Sequence, residues 1–229
     1  MNDQQPSLEG FSGYARLFPL PNLVFFPSVM QPLHIFEPRY RQLTADALDD
    51  DKLIALVLPQ SGWEKTYAGQ PAIHAVACLG KIIADQKLED GRYNLLLRGM
   101  SRVRILEEVA NGKLYRSARV DLLDDVPLVD SAGEAFLRHK LLELAPRMFP
   151  QPGDVKEEFR KLLMGSMPIG VLGDIVAFAL PLGPAIKQEL LEEIDVGRRL
   201  AKLTAHLEAN VPPPNLAGDR RFPPEFSSN

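Results

Sequence analysis

Cysteine is almost missing from this chain: Cys78 is the only thiol in 229 residues. No intrachain disulfide can form, and one thiol with four scattered histidines gives none of the paired spacings that hold zinc. Such a chain suits a reducing cytoplasm. No apolar run approaches the ~18–20 residues needed to span a bilayer, and residues 1–10 are polar, so neither a membrane helix nor a signal peptide is expected. A strong charge of one sign is missing as well. With 26 basic and 30 acidic side chains the net charge is −4, which argues against a general nucleic-acid partner, whose affinity comes from neutralising phosphates. Motifs of catalysis are absent in turn. Gly80-Lys81 lacks the upstream glycine and the following hydroxyl of a phosphate-binding loop. No HExxH surrounds His34, His74, His139 or His206, and Met164 stands where a GxSxG elbow around Ser166 needs glycine. No catalytic residue, metal ligand or cofactor is therefore assigned, and the chain is not read as an enzyme.

What is present is a change of rhythm along the chain. Residues 1–13 read as a flexible start. From Tyr14 to about residue 127 the text is that of short strands: Tyr14 to Leu20, Met30 to Phe36 among Pro19, Pro21, Pro27 and Pro32, the unbroken apolar run Leu53 to Leu58, and Ile73 to Lys87. Asp90-Gly91 and Asn111-Gly112 signal hairpins on either side of a strand region in which Val103 and Ile105 alternate with Arg102 and Arg104. Glu37 to Leu48 is the one helix expected among them, opened by Pro38. Residues 128–210 switch to helical spacing. Helices are expected over Ser131 to Phe149, from Asp154 to about Met164, from Pro168 to Leu180, and along the stripe Ile186, Leu190, Ile194, Leu200, Leu203 and Leu207. Residues 211–229 are rich in Pro, Asn, Gly and Ser and read as a disordered tail. The fold class is α+β, a mostly antiparallel sheet or barrel followed by a helical bundle.

A few residues stand out against this background. Cys78 lies in an apolar strand and reads as a buried, inert thiol. His34 can hydrogen-bond backbone where its strand meets the helix. The acidic pairs and triplets sit at element ends and read as solvated surface. Between Gly80 and Arg119 nine Lys or Arg face five acids, which makes Arg92, Arg102, Arg104 and Arg116 candidates for a polyanion patch on a sheet, against the plainer reading of charged edge strands. Phe25-Phe26-Pro27 places two adjacent aromatics in a proline-rich turn. They can be buried together in an irregular turn, or one can be exposed as an anchor for a polypeptide.

The string Leu17-Phe-Pro-Leu-Pro-Asn-Leu-Val-Phe-Phe-Pro27, followed by Met30-Gln-Pro-Leu-His-Ile-Phe-Glu-Pro-Arg-Tyr40, closely resembles the opening of the Lon protease amino-terminal domain. The resemblance continues through Leu96-Leu-Arg-Gly99, Arg102-Val-Arg-Ile105 and Tyr115-Arg-Ser-Ala-Arg119, and ends on Lys187 to Leu200. It implies a PUA-like β-barrel lobe with a helical lobe, and a stand-alone substrate-binding domain without the ATPase and peptidase modules. The implied role is non-catalytic: binding unfolded proteins or a specific protein partner, in the cytoplasm and in connection with proteolysis. Phe25 and Phe26 are the candidate peptide contacts. RNA binding, known among other PUA-like domains, is the alternative.

Overall fold

A computed structural model describes residues 8, 10–66, 70–148, 161 and 164–210. Six strands form one mixed sheet: β1 (Tyr14–Pro19), β2 (Met30–Ile35), β3 (Leu53–Val57), β4 (Val76–Lys87), β5 (Tyr93–Val109) and β6 (Arg116–Leu123). Their order is β2-β5-β4-β3-β1-β6, and β5 also pairs with β6, which closes five of the strands into a barrel. Only β1 and β3 run parallel; every other pairing is antiparallel. β5 is the long strand that makes closure possible. Its first half, Tyr93 to Arg98, pairs with β2, and its second half, Arg102 to Val109, pairs with β6. β2 is thus an edge strand, where Pro32 does little harm to the sheet.

Helix α1 (Pro38–Leu48) follows β2 with Pro38 in its first turn and buries Tyr40, Leu43, Thr44 and Ala47. After β6 come α2 (Ser131–Leu144), capped by the Asp130 carboxylate on the Ala132 N–H, α3 (Ile169–Ala179), α4 (Pro184–Glu192) and α5 (Val196–Asn210). Of the helix expected from Asp154 to about Met164, only residues 161 and 164 are described, both helical, and the tail from 211 lies outside the described residues. The continuous stripe from Ile186 to Leu207 proves to be two helices. Glu193 is extended, and the Asp195 carboxylate accepts the Arg198 N–H, capping a fresh start at α5. The break is also pinned from outside: Val126 pairs with the junction, its N–H donating to Ile194 O and its carbonyl accepting from the Val196 N–H.

Two apolar clusters result from this arrangement. The smaller fills the barrel, with Leu17, Leu53, Ala55, Leu79, Val103 and Val120. The larger lies outside it and joins the sheet to α1 and to the later helices, running from Phe18, Phe25 and Phe26 through Cys78 and Leu97 to Leu172, Leu200 and Leu207. The outward side of β4 and β5 is therefore partly interior. Arg102 is the residue most affected. Alternation along β5 does turn it away from Val103, as the sequence indicates, but that side is roofed by helices, and Arg102 is 2% exposed. Its guanidinium grips Asp174 of α3 with two hydrogen bonds, at 2.9 and 2.6 Å, donates to Leu191 O at 2.9 Å and reaches Asp125 at 3.2 Å. Arg199 of α5 completes the group, donating to Asp125 at 3.0 Å and to Glu193 O at 2.7 Å. Arg102, Arg199 and Asp174 are buried, and Asp125, partly exposed, brings the charges into balance.

Candidate functional site

The Asn111-Gly112 turn, expected as a two-residue hairpin, is a six-residue connection, 110–115, between Val109 and Arg116. Asn111 organises it. Its amide donates to Tyr115 O at 3.0 Å and to Ser117 Oγ at 2.7 Å, and its carbonyl oxygen accepts the Lys113 N–H at 2.9 Å. Gly112 takes φ +67, the left-handed conformation that glycine tolerates best. The loop leans on α1, where Gln42 accepts the Leu114 N–H and Asp46 accepts the Tyr115 hydroxyl at 2.7 Å.

This widened loop faces a gap in the barrel wall. β1 leaves β6 after the Leu17–Arg116 pair and continues along β3 to Pro19. Between the parting strands opens a cleft of about 670 Å³, bounded by Leu17 and Pro19, by Arg39 and Tyr40 of α1, by Pro59 and Pro71, and by the loop from Glu108 to Ser117. Its volume is that of a ligand site. Leu17, Tyr40 and Tyr115 are buried in its walls, while Leu114, 65% exposed, and Val109 stand at the rim.

The polar side chains of the cleft are largely engaged with one another. Tyr40 donates to Pro19 O, and Arg39 pairs with Glu37 and lies 4.6 Å over the Tyr40 ring. Arg116 holds Glu108 through two nitrogens and donates to Pro71 O at 2.8 Å. Lys113 and Tyr115 share Asp46. Burial, and then the Asp46 hydrogen bond, pushes the Tyr115 hydroxyl up to about 12. Burial also raises the Asp46 carboxyl, but the Tyr115 and Lys113 donors outweigh it and hold that group below its ordinary value. With most of its charges paired, the cleft offers a ligand polar and apolar surface in about equal measure: three prolines, Leu114 and Val109 beside the polar groups of the loop.

The residues marked from the sequence are placed elsewhere, with one exception. Phe25 and Phe26 are 1% and 0% exposed, so neither is a surface anchor. A turn with Pro27 and with Ser28 at φ +63 lets both rings fold inward, because the chain there is not a regular strand. The four arginines do not form one patch. Arg92 pairs with Asp90 on the β4–β5 hairpin, Arg102 is buried under the helices, and Arg116 lines the cleft bound to Glu108. Arg104 is exposed and has no carboxylate within 4 Å among the described residues. His34 bonds the Asn94 side chain at 2.8 Å instead of backbone. Cys78 is fully buried, and burial drives its thiol far above the ordinary value. Among the described residues no three His, Cys, Asp or Glu side chains group as a metal-binding set, and no helix is long and apolar enough to cross a membrane. The cleft-forming residues Tyr115, Leu114 and Pro71 carry no local sequence signal beyond the turn residues beside them, because the cleft is made by where β1 and β6 part.

Comparison with known proteins agrees with this architecture. The chain is 29% identical over 194 residues to the Lon protease of Dictyoglomus thermophilum, covering 83% of this chain and 24% of that protein. It is 27% identical over 195 residues to the Lon protease of Escherichia coli K12, covering 85% and 24%. It thus spans about a quarter of the length of these curated relatives. Among solved structures, the Lon N-terminal domain protein of Xanthomonas campestris superposes with a TM-score of 0.59 at 26% identity, covering 84% of this chain and 97% of that one. The N-terminal domain of a Mycobacterium avium complex Lon protease shares the fold, with a TM-score of 0.67 at 16% identity over 86% and 98% of the two chains. Residues 15–209 match the model of the ATP-dependent protease La (LON) substrate-binding domain, and the chain belongs to that family.

Proposed function

We propose that this chain is a non-catalytic polypeptide-recognition module of protein quality control, acting in the cytoplasm, and that it receives an extended segment of an unfolded protein in the cleft between β1, α1 and the 110–115 loop. The family match over residues 15–209 carries the reading. The cleft supports it with a mixed lining, apolar at its prolines, Leu114 and Val109 and polar along the 110–115 loop, and with charges that are already paired, which suits an extended segment offering both backbone amides and apolar side chains better than a salt or a nucleotide. RNA is the weaker alternative, since Arg92, Arg102 and Arg116 are neutralised by carboxylates of the chain itself.

Reduced, iodoacetamide-capped lactalbumin carrying fluorescein is a suitable unfolded probe. Leu114→Ser combined with Val109→Ser alters the exposed rim and leaves the core alone. Affinity is expected to fall about tenfold, the scale of one or two apolar side chains left without cover. Raising sodium chloride to about 0.5 M should change the wild-type Kd for an uncharged peptide of leucine, serine and asparagine less than twofold, because paired charges gain little from a neutral ligand. Undiminished binding by the double variant, with an unaltered circular dichroism spectrum, would remove the cleft from the proposal.

A further inference from the structure

Outside the cleft, β2, the first half of β5 and the end of β4 form a three-stranded extension. One side carries Ile35, Leu95, Leu97 and Ile82 into the larger core. The other side is a series of cross-strand rows. Met30, Arg98 and Lys81 form the first, Pro32, Leu96 and Ala84 the second, and His34, Asn94 and Gln86 the third. The third row is knit by side-chain bonds, His34 to Asn94 at 2.8 Å and Asn94 to Gln86 at 3.3 Å. The first row is not balanced. Lys81 and Arg98 are directly opposite in register, which brings their Cβ atoms within about 4.5–5.5 Å. Neither has a carboxylate within 4 Å among the described residues, whereas Arg92, Arg102, Arg116 and Arg119 of the same strand region all do. Two like charges facing each other on adjacent strands destabilise a sheet, and an anion between them reverses the sign of that contribution.

We infer that Lys81 and Arg98 form a binding site for a carboxylate of a polypeptide segment, with an apolar neighbour of that acid resting on Leu96 and Met30. The inference relies on the polypeptide-recognition role proposed for the chain and concerns a face that shares no lining residue with the cleft. Three observations choose this occupant. The cationic row adjoins an apolar one, and Met30 is 48% exposed, so the face pairs charge with grease as an acidic and apolar segment does. Two cations neutralise one or two charges, not the run of phosphates that gives a nucleic acid its affinity. The Arg98 guanidinium presents a planar fork of donors suited to both oxygens of a carboxylate, and Lys81 adds a point charge beside it.

Two ten-residue fluorescein-labelled peptides of leucine, serine and aspartate, or of leucine, serine and asparagine, test the site on the full chain by anisotropy. In 50 mM salt the aspartate peptide is expected to bind about five- to tenfold tighter, a difference that shrinks below about twofold in 0.5 M salt. Lys81→Gln with Arg98→Gln should abolish the preference while the unfolding temperature stays the same or rises. The swap Lys81→Arg with Arg98→Lys should retain the preference, which guards against a loss caused by misfolding. Leu114→Ser with Val109→Ser should leave the preference intact. A preference that survives Lys81→Gln with Arg98→Gln overturns the site, as does equal wild-type affinity for the two peptides, though binding of both would leave the polypeptide reading standing. If neither peptide nor unfolded lactalbumin binds, both proposals fall. Tight, salt-sensitive binding of a single-stranded RNA that is lost in the glutamine variant would hand the site to nucleic acid and overturn the carboxylate.

Discussion

Phe25 and Phe26 occupy space that two glycines leave open. Gly80 and Gly99 face each other where β4 crosses β5. A Cβ on Gly99 would stand 2.0 Å from the Phe26 carbonyl oxygen, and one on Gly80 would stand 2.8 Å from the Phe25 ring. The Gly99 contact is with backbone, held by Ser28 N–H to Gly99 O and Gly99 N–H to Val29 O, so it cannot be relieved by a rotamer change. Gly99→Ala is expected to cost about 1–3 kcal/mol as overpacking, and Phe26→Ala about 3–5 kcal/mol as a cavity. Urea denaturation reads both, and a Phe26→Ala variant of wild-type stability would contradict its placement. Tyr115 gives a pH test. Its folded pKa is raised from 10 to about 12 by burial and by Asp46. Its contribution is therefore complete below pH 10 and is lost as pH rises through 12. Tyr115→Phe should be about 1 kcal/mol less stable than the wild type at pH 7. That gap should narrow from pH 10 upward, and also below the ordinary aspartate range as Asp46 protonates. Tyrosinate absorbance should show one fewer late-ionising group in the variant.

Between elements, the Arg102–Asp174–Arg199–Asp125 group has the largest leverage, because β5, α3, α5 and the segment after β6 all contribute to it. Asp174→Asn leaves Arg102 buried with half its partners and is expected to cost about 3–5 kcal/mol. Replacing the pair together, Arg102→Met with Asp174→Leu, keeps the charge balance of Arg199 with Asp125. That double variant should be distinctly more stable than the sum of its two single changes, and simple additivity in a double-mutant cycle would show that the pair is not coupled. The same residues mark the limit of what the sequence makes legible. Strand alternation correctly turns Arg102 away from Val103, and the strands, α1 and α3 are readable from their periods and prolines. What lies above the outward face of a strand is a tertiary fact that no local period contains. The break at Glu193 is a near miss of the same kind: Asp195 is a standard cap, hidden inside an apolar spacing that runs on without interruption. The cleft is legible only in part, because its prolines and its Asn-Gly turn are visible while the parting of β1 from β6 is not.

At the scale of the whole molecule, the strand region and the helical region are expected to unfold as one. A single apolar cluster contains Val76 and Cys78 of β4 together with Leu190 and Leu191 of α4, and extends to Leu200 and Leu207 of α5. Gln188 donates to Val76 O at 3.0 Å, and Val126 is hydrogen-bonded into the α4–α5 junction. Magnitudes decide the matter. Exposing a buried apolar side chain of that size costs about 1.5–3 kcal/mol, and Val76, Leu190, Leu191, Leu200 and Leu207 would all be uncovered together. Total stabilities are only about 5–15 kcal/mol, so a barrel stripped of its helices retains little or nothing. Trp63, the only tryptophan, lies between β3 and β4 and reports the strand region by fluorescence, whereas circular dichroism at 222 nm reports mainly the helices. The two thermal curves should coincide, with the calorimetric enthalpy equal to the van't Hoff value. A chain ending at Asp130 should show no cooperative transition. Two separated transitions, or a folded shortened chain, would mean that the strand region carries its own stability and that the buried arginine–aspartate group joins two independent bodies.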